Sequence, residues 1–315
     1  GAGSFEQSPA MLVLVVLALL GTAVALPVGP EVSSSNRIAD ELIDYARAAY
    51  CPMKDLEDWN CAMCTSGFTP TAVLYKNGMQ VFVGHSSGKV IVSWRGSSNL
   101  QNWINNLWAF KIDAPFDHCD DCKVHAGFMN LYDSLRDDIY NATSFAIKAA
   151  GKHASIYSTG HSLGGAMASH CALDLSINRG LKVTDVTFGS PRIGNEPFAN
   201  YFKSKIESST RVTHNNDIVP HLPPAASVFG IFDFHHVYRE EWETPNKIVD
   251  CDGSGEDPTC SWSVPVTSYS VFDHLKYDGK AIGGCRDASG VDVELQAIAM
   301  LMDAEHALRY NATTH

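Results

Sequence analysis

Positive charge is scarce in this chain. Against 35 Asp and Glu stand only 23 Lys and Arg, for a formal net charge of −12, and the basic residues form no cluster. That balance argues against nucleic acid as a partner. Charged residues of both signs reach only 18% while 45% are hydrophobic, which excludes a disordered chain and leaves enough apolar surface for one large domain. No internal repeat or long low-complexity linker divides it. Only one long uninterrupted apolar run occurs, Met11 to Ala25, and it ends in the small-x-small pattern Ala23-Val24-Ala25. It reads as a secretory signal peptide, since it is short for a bilayer span and no basic residue flanks it. Gly1–Ala10 in front reads as a non-native leader, so the working domain is expected over residues 26–315, without an integral membrane span.

An even cysteine count is also missing, since the chain has nine. In an oxidising compartment Cys61–Cys64, Cys119–Cys122 and Cys251–Cys260 would pair locally, and Cys51 with Cys285 would tie the two ends together. Cys171 is left over, as a buried free thiol in a helix. A zinc site built from the two Cys-x-x-Cys pairs suits a cytosolic chain better and is not favoured. Asn141-Ala142-Thr143 and Asn311-Ala312-Thr313 are glycosylation sequons, which agrees with secretion.

What is present centres on Gly160-His161-Ser162-Leu163-Gly164-Gly165. A strand-like run, Ile156–Thr159, enters it and a helix-like run beginning at Ala166 leaves it. Gly-x-Ser-x-Gly in that setting has the mechanics of a nucleophile elbow: the serine sits in strained backbone at a sharp turn, and the flanking glycines allow close chain approach. The Leu163 N–H falls at the first turn of the helix, where backbone donors are unpaired and can hold an oxyanion.

Upstream, Ala72–Tyr75, Gln80–Val83 and Val90–Trp94 read as strands, with Asn77-Gly78 as a hairpin turn. They suggest an antiparallel entry to a sheet that becomes parallel once strands alternate with helices after the elbow. Asn36–Ala49 before them reads as a helix. Trp94-Arg95-Gly96-Ser97-Ser98 ends the third strand where a second oxyanion donor is normally supplied, so Ser97 is the candidate. Next, Leu100, Trp103, Ile104, Leu107 and Trp108 fall on one face of a short helix. Its place beside the oxyanion turn suggests a lid that would open at a lipid surface. Lys123 onward reads as a long helical stretch reaching Ala150, with His125 a structural histidine on the wrong side of the serine for a Ser…Asp…His order.

Past the elbow, Val183–Phe188 and Thr210–His214 read as strands, with a helix over Glu196–Ile206 between them. Asp217 lies just beyond the second strand, placed to reach the edge that carries Ser162 and to orient an imidazole. Asp233, Asp250 and Asp257 follow no such clear strand. His221, His235, His236, His274, His306 and His315 all qualify as base by order. His274, in a loop after the Cys251–Cys260 region, is modestly favoured over the His235/His236 pair, which begins a strand-like run at Val237–Trp242. A last helix is expected at Val291–Leu308.

Together these residues resemble the secreted fungal class 3 lipases, a triacylglycerol lipase family of α/β hydrolases. Five motifs in order carry the likeness: Trp94–Ser98 with Asn102-Trp103-Ile104, Val124–Phe128, Gly160–Gly165, Asn216–Pro220 with Leu222-Pro223-Pro224, and Asp273-His274-Leu275-x-Tyr277. The resemblance implies an α/β fold with a mixed, mostly parallel sheet, a triad of Ser162, Asp217 and His274, oxyanion donors at Ser97 and Leu163, and a lid over Leu100–Leu107. It implies an extracellular monomer that cleaves acylglycerol esters at a lipid–water interface without metal or organic cofactor. A feruloyl-type or other soluble esterase occurs on the same scaffold, and a catalytically silent lipid-binding relative is the remoter alternative. Trp94 stands where Phe is commoner, and the helix after Cys285 extends past the usual end of the family.

Overall fold

The computed structural model describes residues 37–97, 99–105, 110–225 and 232–285. The leader and signal-peptide readings, the 291–308 helix, Asn311, and Leu107 and Trp108 of the lid lie outside the described residues. So do His306 and His315.

Helix α1 (Ile38–Ala48) and the short α2 (Met53–Glu57) precede three strands, β1 (Thr69–Lys76), β2 (Met79–Ser86) and β3 (Lys89–Trp94). Helix α3 (Leu100–Asn105) and the small hairpin of β4 (Lys111–Asp113) and β5 (Lys123–His125) lead to helices α4 (Ala126–Asp133) and α5 (Arg136–Ala150). Strand β6 (Ser155–His161), helix α6 (Leu163–Arg179), strand β7 (Val183–Phe188), helix α7 (Glu196–Lys205) and strand β8 (Ser208–His214) then alternate. Strands β9 (Glu240–Glu243) and β10 (Ile248–Asp250) complete the sheet, and β11 (Lys276–Tyr277) and β12 (Lys280–Ala281) form a short ribbon.

The eight-stranded sheet has the order β1-β2-β3-β6-β7-β8-β9-β10. β1 through β3 pair antiparallel, β3 through β9 pair parallel, and β10 closes the far edge antiparallel. The antiparallel entry follows from the Asn77-Gly78 turn, where both residues take positive φ and so match the twist of a two-residue hairpin. β2 and β3 are buried along nearly their whole length. Successive residues feed opposite faces: Val81, Val83, Val90 and Val92 join the core under α4, α5 and α6, while Phe82 and Ile91 join the core under α1. The sheet is therefore covered on both sides, and its parallel strands present their C-terminal ends at one edge.

Two departures from the sequence reading have physical causes. The expected long helix from Lys123 to Ala150 is instead β5, α4 and α5. Lys123–His125 pairs with Lys111–Asp113, and His125 caps α4 by accepting the Phe128 N–H at its Nδ1, 3.2 Å away. The expected strand at Val237–Trp242 starts only at Glu240, because the Val237 carbonyl accepts the buried Arg211 Nε at 2.7 Å.

Disulfides join Cys51 to Cys285, Cys61 to Cys64, Cys119 to Cys122 and Cys251 to Cys260. Cys171 is free and buried, and burial pushes its thiol well above the ordinary range. The described Cys-rich groups that could approach a metal ion consist chiefly of these bonded cysteines.

Candidate active site

The elbow is the junction of β6 and α6. Ser162 sits between them at φ 60°, ψ −129°, a conformation that costs a non-glycine residue on the order of 1–3 kcal/mol and persists only where the surroundings impose it. Here they do. A Cβ on Gly160 would lie 2.4 Å from the Gly164 carbonyl oxygen, and one on Gly164 would lie 2.2 Å from the Trp94 carbonyl oxygen. The turn thus closes directly against the end of β3, which carries Gly96 and Ser97. Leu163, the first residue of α6, is half-buried, and its N–H has no intrahelical acceptor by position. Ser97 is half-buried, and its Oγ accepts the Asn99 N–H at 3.1 Å.

Asp217 lies past the end of β8 and is 2% exposed. Its Oδ2 stands 2.7 Å from His274 Nδ1 and also receives the Tyr277 hydroxyl, while Oδ1 accepts the Val219 N–H at 2.8 Å. An ionised carboxylate only accepts, so Nδ1 carries the imidazole proton and Nε2 keeps its lone pair. His274 lies in a short 3-10 turn, Asp273–Leu275, and is fully buried. That turn is tied to the Asp217 loop: the Asn216 N–H donates to Asp273 Oδ2, and the Ser270 N–H to the Asn216 carbonyl. Ser162 Oγ and His274 Nε2 are both buried and have no hydrogen-bond partner among the described residues. The structure therefore joins Asp217 to His274 directly but leaves nucleophile and base unbonded.

Three further residues shape this site that the sequence reading did not single out. Gly189, at φ 55° after β7, forms the floor: a Cβ there would meet the Tyr277 hydroxyl at 2.7 Å, Asp217 Oδ2 at 2.8 Å and the edge of the His274 ring at 2.9 Å. Tyr50, just past α1, and His161 form a buried chain behind the base. His161 Nε2 lies 2.8 Å from the His274 carbonyl, so it must carry a proton, and Nδ1 then accepts the Tyr50 hydroxyl at 2.7 Å. The Tyr50 hydroxyl also packs against Gly96, where an added Cβ would meet its oxygen at 2.0 Å. Burial, then the neighbouring His274, hold His161 well below the ordinary histidine range, which keeps it neutral. This chain connects the loop bearing Ser97 to the backbone of His274. The signal that could have revealed it is His161 within the elbow motif, a buried histidine that needs two partners.

The other candidates are committed elsewhere. His125 stacks on Phe128 and caps α4, with burial pushing it down to about 4. His236 donates from Nε2 to the Pro220 carbonyl, His235 bonds the His236 carbonyl through Nδ1, and His221 stacks on Tyr269. In α3, Leu100 and Ile104 pack against Val271 and Leu275 beside the His274 turn, as do Ile218 and Phe272. Trp103 faces the main core, stacked against Phe128.

Comparison with known proteins places this arrangement. The family model for class 3 lipase matches residues 91–227. A lipase from Rhizomucor miehei is 35% identical over 72% of this chain, which spans 64% of that relative's length. The secreted mono- and diacylglycerol lipase 1 of Fusarium solani is 31% identical, with 77% of this chain and 81% of the relative covered. The solved structure of Rhizomucor miehei triacylglyceride lipase superposes with a TM-score of 0.72 at 31% identity, covering 82% of this chain and 99% of that one. The chain belongs to the class 3 lipase family of α/β hydrolases.

Proposed function

We propose that this protein hydrolyses the carboxylic ester bonds of acylglycerols through an acyl-enzyme on Ser162. His274 Nε2 takes the hydroxyl proton as Oγ attacks the ester carbonyl, and Asp217 stabilises the imidazolium that forms. The N–H groups of Ser97 and Leu163, with the Ser97 hydroxyl, receive the oxyanion. His274 returns the proton to the leaving alcohol, and water repeats the cycle to free the fatty acid. The observation that carries this reading is the pair of buried, unpartnered atoms Ser162 Oγ and His274 Nε2, beside a base anchored on Asp217. Such nucleophile–base bonds are often long in the unliganded state and tighten on substrate.

The acylglycerol substrate is supported by the relatives' names, which include a mono- and diacylglycerol lipase and a triacylglyceride lipase. Helix α3 acts as the lid: swinging it off the His274 turn uncovers Leu100, Ile104 and their partners, an apolar strip that water penalises and lipid does not. Four disulfides and a relative named as secreted support an extracellular setting. Among the described residues no helix is long and apolar enough to cross a membrane.

The test is Ser162→Ala assayed on emulsified tri-, di- and monoacylglycerols and on methyl ferulate. Loss of turnover by roughly 10⁴-fold or more on acylglycerols is expected, with a rate jump as substrate passes its solubility limit. Full activity in the variant, or failure of a serine-directed phosphonate to label the native protein, would overturn the mechanism. Faster turnover of methyl ferulate, saturating smoothly, would assign the scaffold to soluble esters instead.

A further inference from the structure

We propose that Asn141 carries an N-linked oligosaccharide and that its first sugar covers Phe145. The inference depends on passage through a secretory pathway, not on the substrate. Asn141, Ala142 and Thr143 lie within α5, and Asn141 is exposed. Two features of this helix are unexplained by packing. Thr143 is 1% exposed, and its hydroxyl has no hydrogen-bond partner among the described residues. A buried hydroxyl without a partner is destabilising, and valine would fill the same space without it. One helical turn beyond Asn141, Phe145 leaves 66% of its surface in water, although a large ring at that point gains nothing from solvent.

A sequon explains both. Transfer of the sugar requires the hydroxyl two residues after the asparagine. In the folded helix Thr143 turns inward, so the reaction belongs to the chain before α5 closes. The Asn141 amide nitrogen bonds to the anomeric carbon of the first N-acetylglucosamine. The bond from that carbon to the phosphate oxygen of a lipid-linked pyrophosphoryl oligosaccharide breaks, the lipid pyrophosphate leaves, and the amide proton passes to base. Thr143 is thus used once, before folding. Afterwards residues four apart on a helix stand about 6 Å from each other at Cβ, which sets the C–H face of the proximal sugar over the Phe145 ring.

The experiment routes the full chain through the secretory pathway of a eukaryotic host and maps the secreted protein by mass before and after peptide-N-glycosidase treatment in heavy-oxygen water. Label incorporation at Asn141 is expected, retained in Thr143→Ser and lost in Asn141→Gln and Thr143→Val. Without sugar, Thr143→Val melts above Asn141→Gln by a few degrees, since the orphaned hydroxyl is gone. Enzymatic removal of the sugar lowers the melting temperature of the native protein, and by less in Phe145→Ser. Secreted protein with Asn141 unmodified would overturn the site. A melting shift on sugar removal that is the same with and without Phe145 would overturn the contact.

Discussion

Gly189 leaves no room for a side chain beside the base. Its missing side chain is where the Tyr277 hydroxyl, Asp217 Oδ2 and the His274 ring converge. Gly189→Ala therefore has to displace the carboxylate, the imidazole or both, on top of a positive φ that alanine resists. A shift of about 1 Å at a catalytic group costs on the order of 10²-fold in rate. The expected outcome is a kcat loss of that size with secondary structure retained, read by ester hydrolysis beside circular dichroism; near-native kcat would show that the floor is not constraining. Tyr50 is the second residue of this kind. Tyr50→Phe strips the donor from His161 Nδ1, and a buried group left unsatisfied costs about 1–3 kcal/mol. Because Tyr50 and His161 stand between the Gly96 turn and the His274 backbone, the loss should appear in kcat more than in KM, and His161→Gln, which keeps an N–H donor, should fall less far than His161→Ala. Equal losses in the two His161 variants would count against a positioning role. Ser162 and Asp217 could be picked out as candidates because each follows a strand whose end could be located, whereas pattern left the base open between His274 and the His235/His236 pair and the family resemblance named His274. Gly189 and Tyr50 were not singled out, since their meaning lies in contacts with residues far away in sequence.

At the scale of elements, the sheet and the elbow were readable from periodicity and glycine spacing, and the boundaries that failed did so where a tertiary contact overrode local pattern. Arg211 takes the carbonyl that would have begun β9 early, and the β4–β5 hairpin draws Lys123–His125 out of a helix-like run. Helix α3 tests the link from element to activity. In the proposed lid role, the position it takes here is held in part by Leu100 and Ile104, which pack against Val271 and Leu275. Burying an aliphatic side chain is worth about 1.5–3 kcal/mol, enough to move a closed–open equilibrium by roughly tenfold or more. Ile104→Ser should therefore raise hydrolysis of a monomeric, water-soluble ester several-fold and shrink the rate jump on emulsion formation. A variant with an unchanged ratio of soluble to emulsified activity would separate α3 from substrate access.

The whole molecule responds to pH through groups the catalytic proposal does not use. Burial pushes His125 down to about 4 and His170 and His221 to about 3, and holds His161 and His236 well below the ordinary 6.5. A histidine with a depressed folded pKa takes up protons in the unfolded chain first. Stability is therefore full above about pH 6.5 and is lost as pH falls toward the folded values, at about 1.4 kcal/mol per unit for each such group. Asp185 works in the opposite sense. Burial raises its carboxyl from 3.8 to about 7, although the Ser169 and Ser209 hydroxyls that donate to Oδ2 oppose the rise. The folded state then prefers the protonated acid, so this residue favours folding most below about pH 3.8 and loses about 4 kcal/mol of that advantage as pH climbs to about 7. Five histidines outweigh one aspartate, so the net expectation is a protein that weakens on acidification from pH 7 to pH 4.5, measured as a falling urea midpoint. Asp185→Asn removes the opposing group with the largest shift; burial raises the Asp133 and Asp278 carboxyls in the same sense. The variant should gain stability relative to the native protein at pH 7.5 and lose it more steeply on acidification, because the main offset to the histidines is then gone. A native midpoint that rises from pH 7 to pH 4.5, or an Asp185→Asn curve parallel to the native one, would mean that these buried groups do not govern the response.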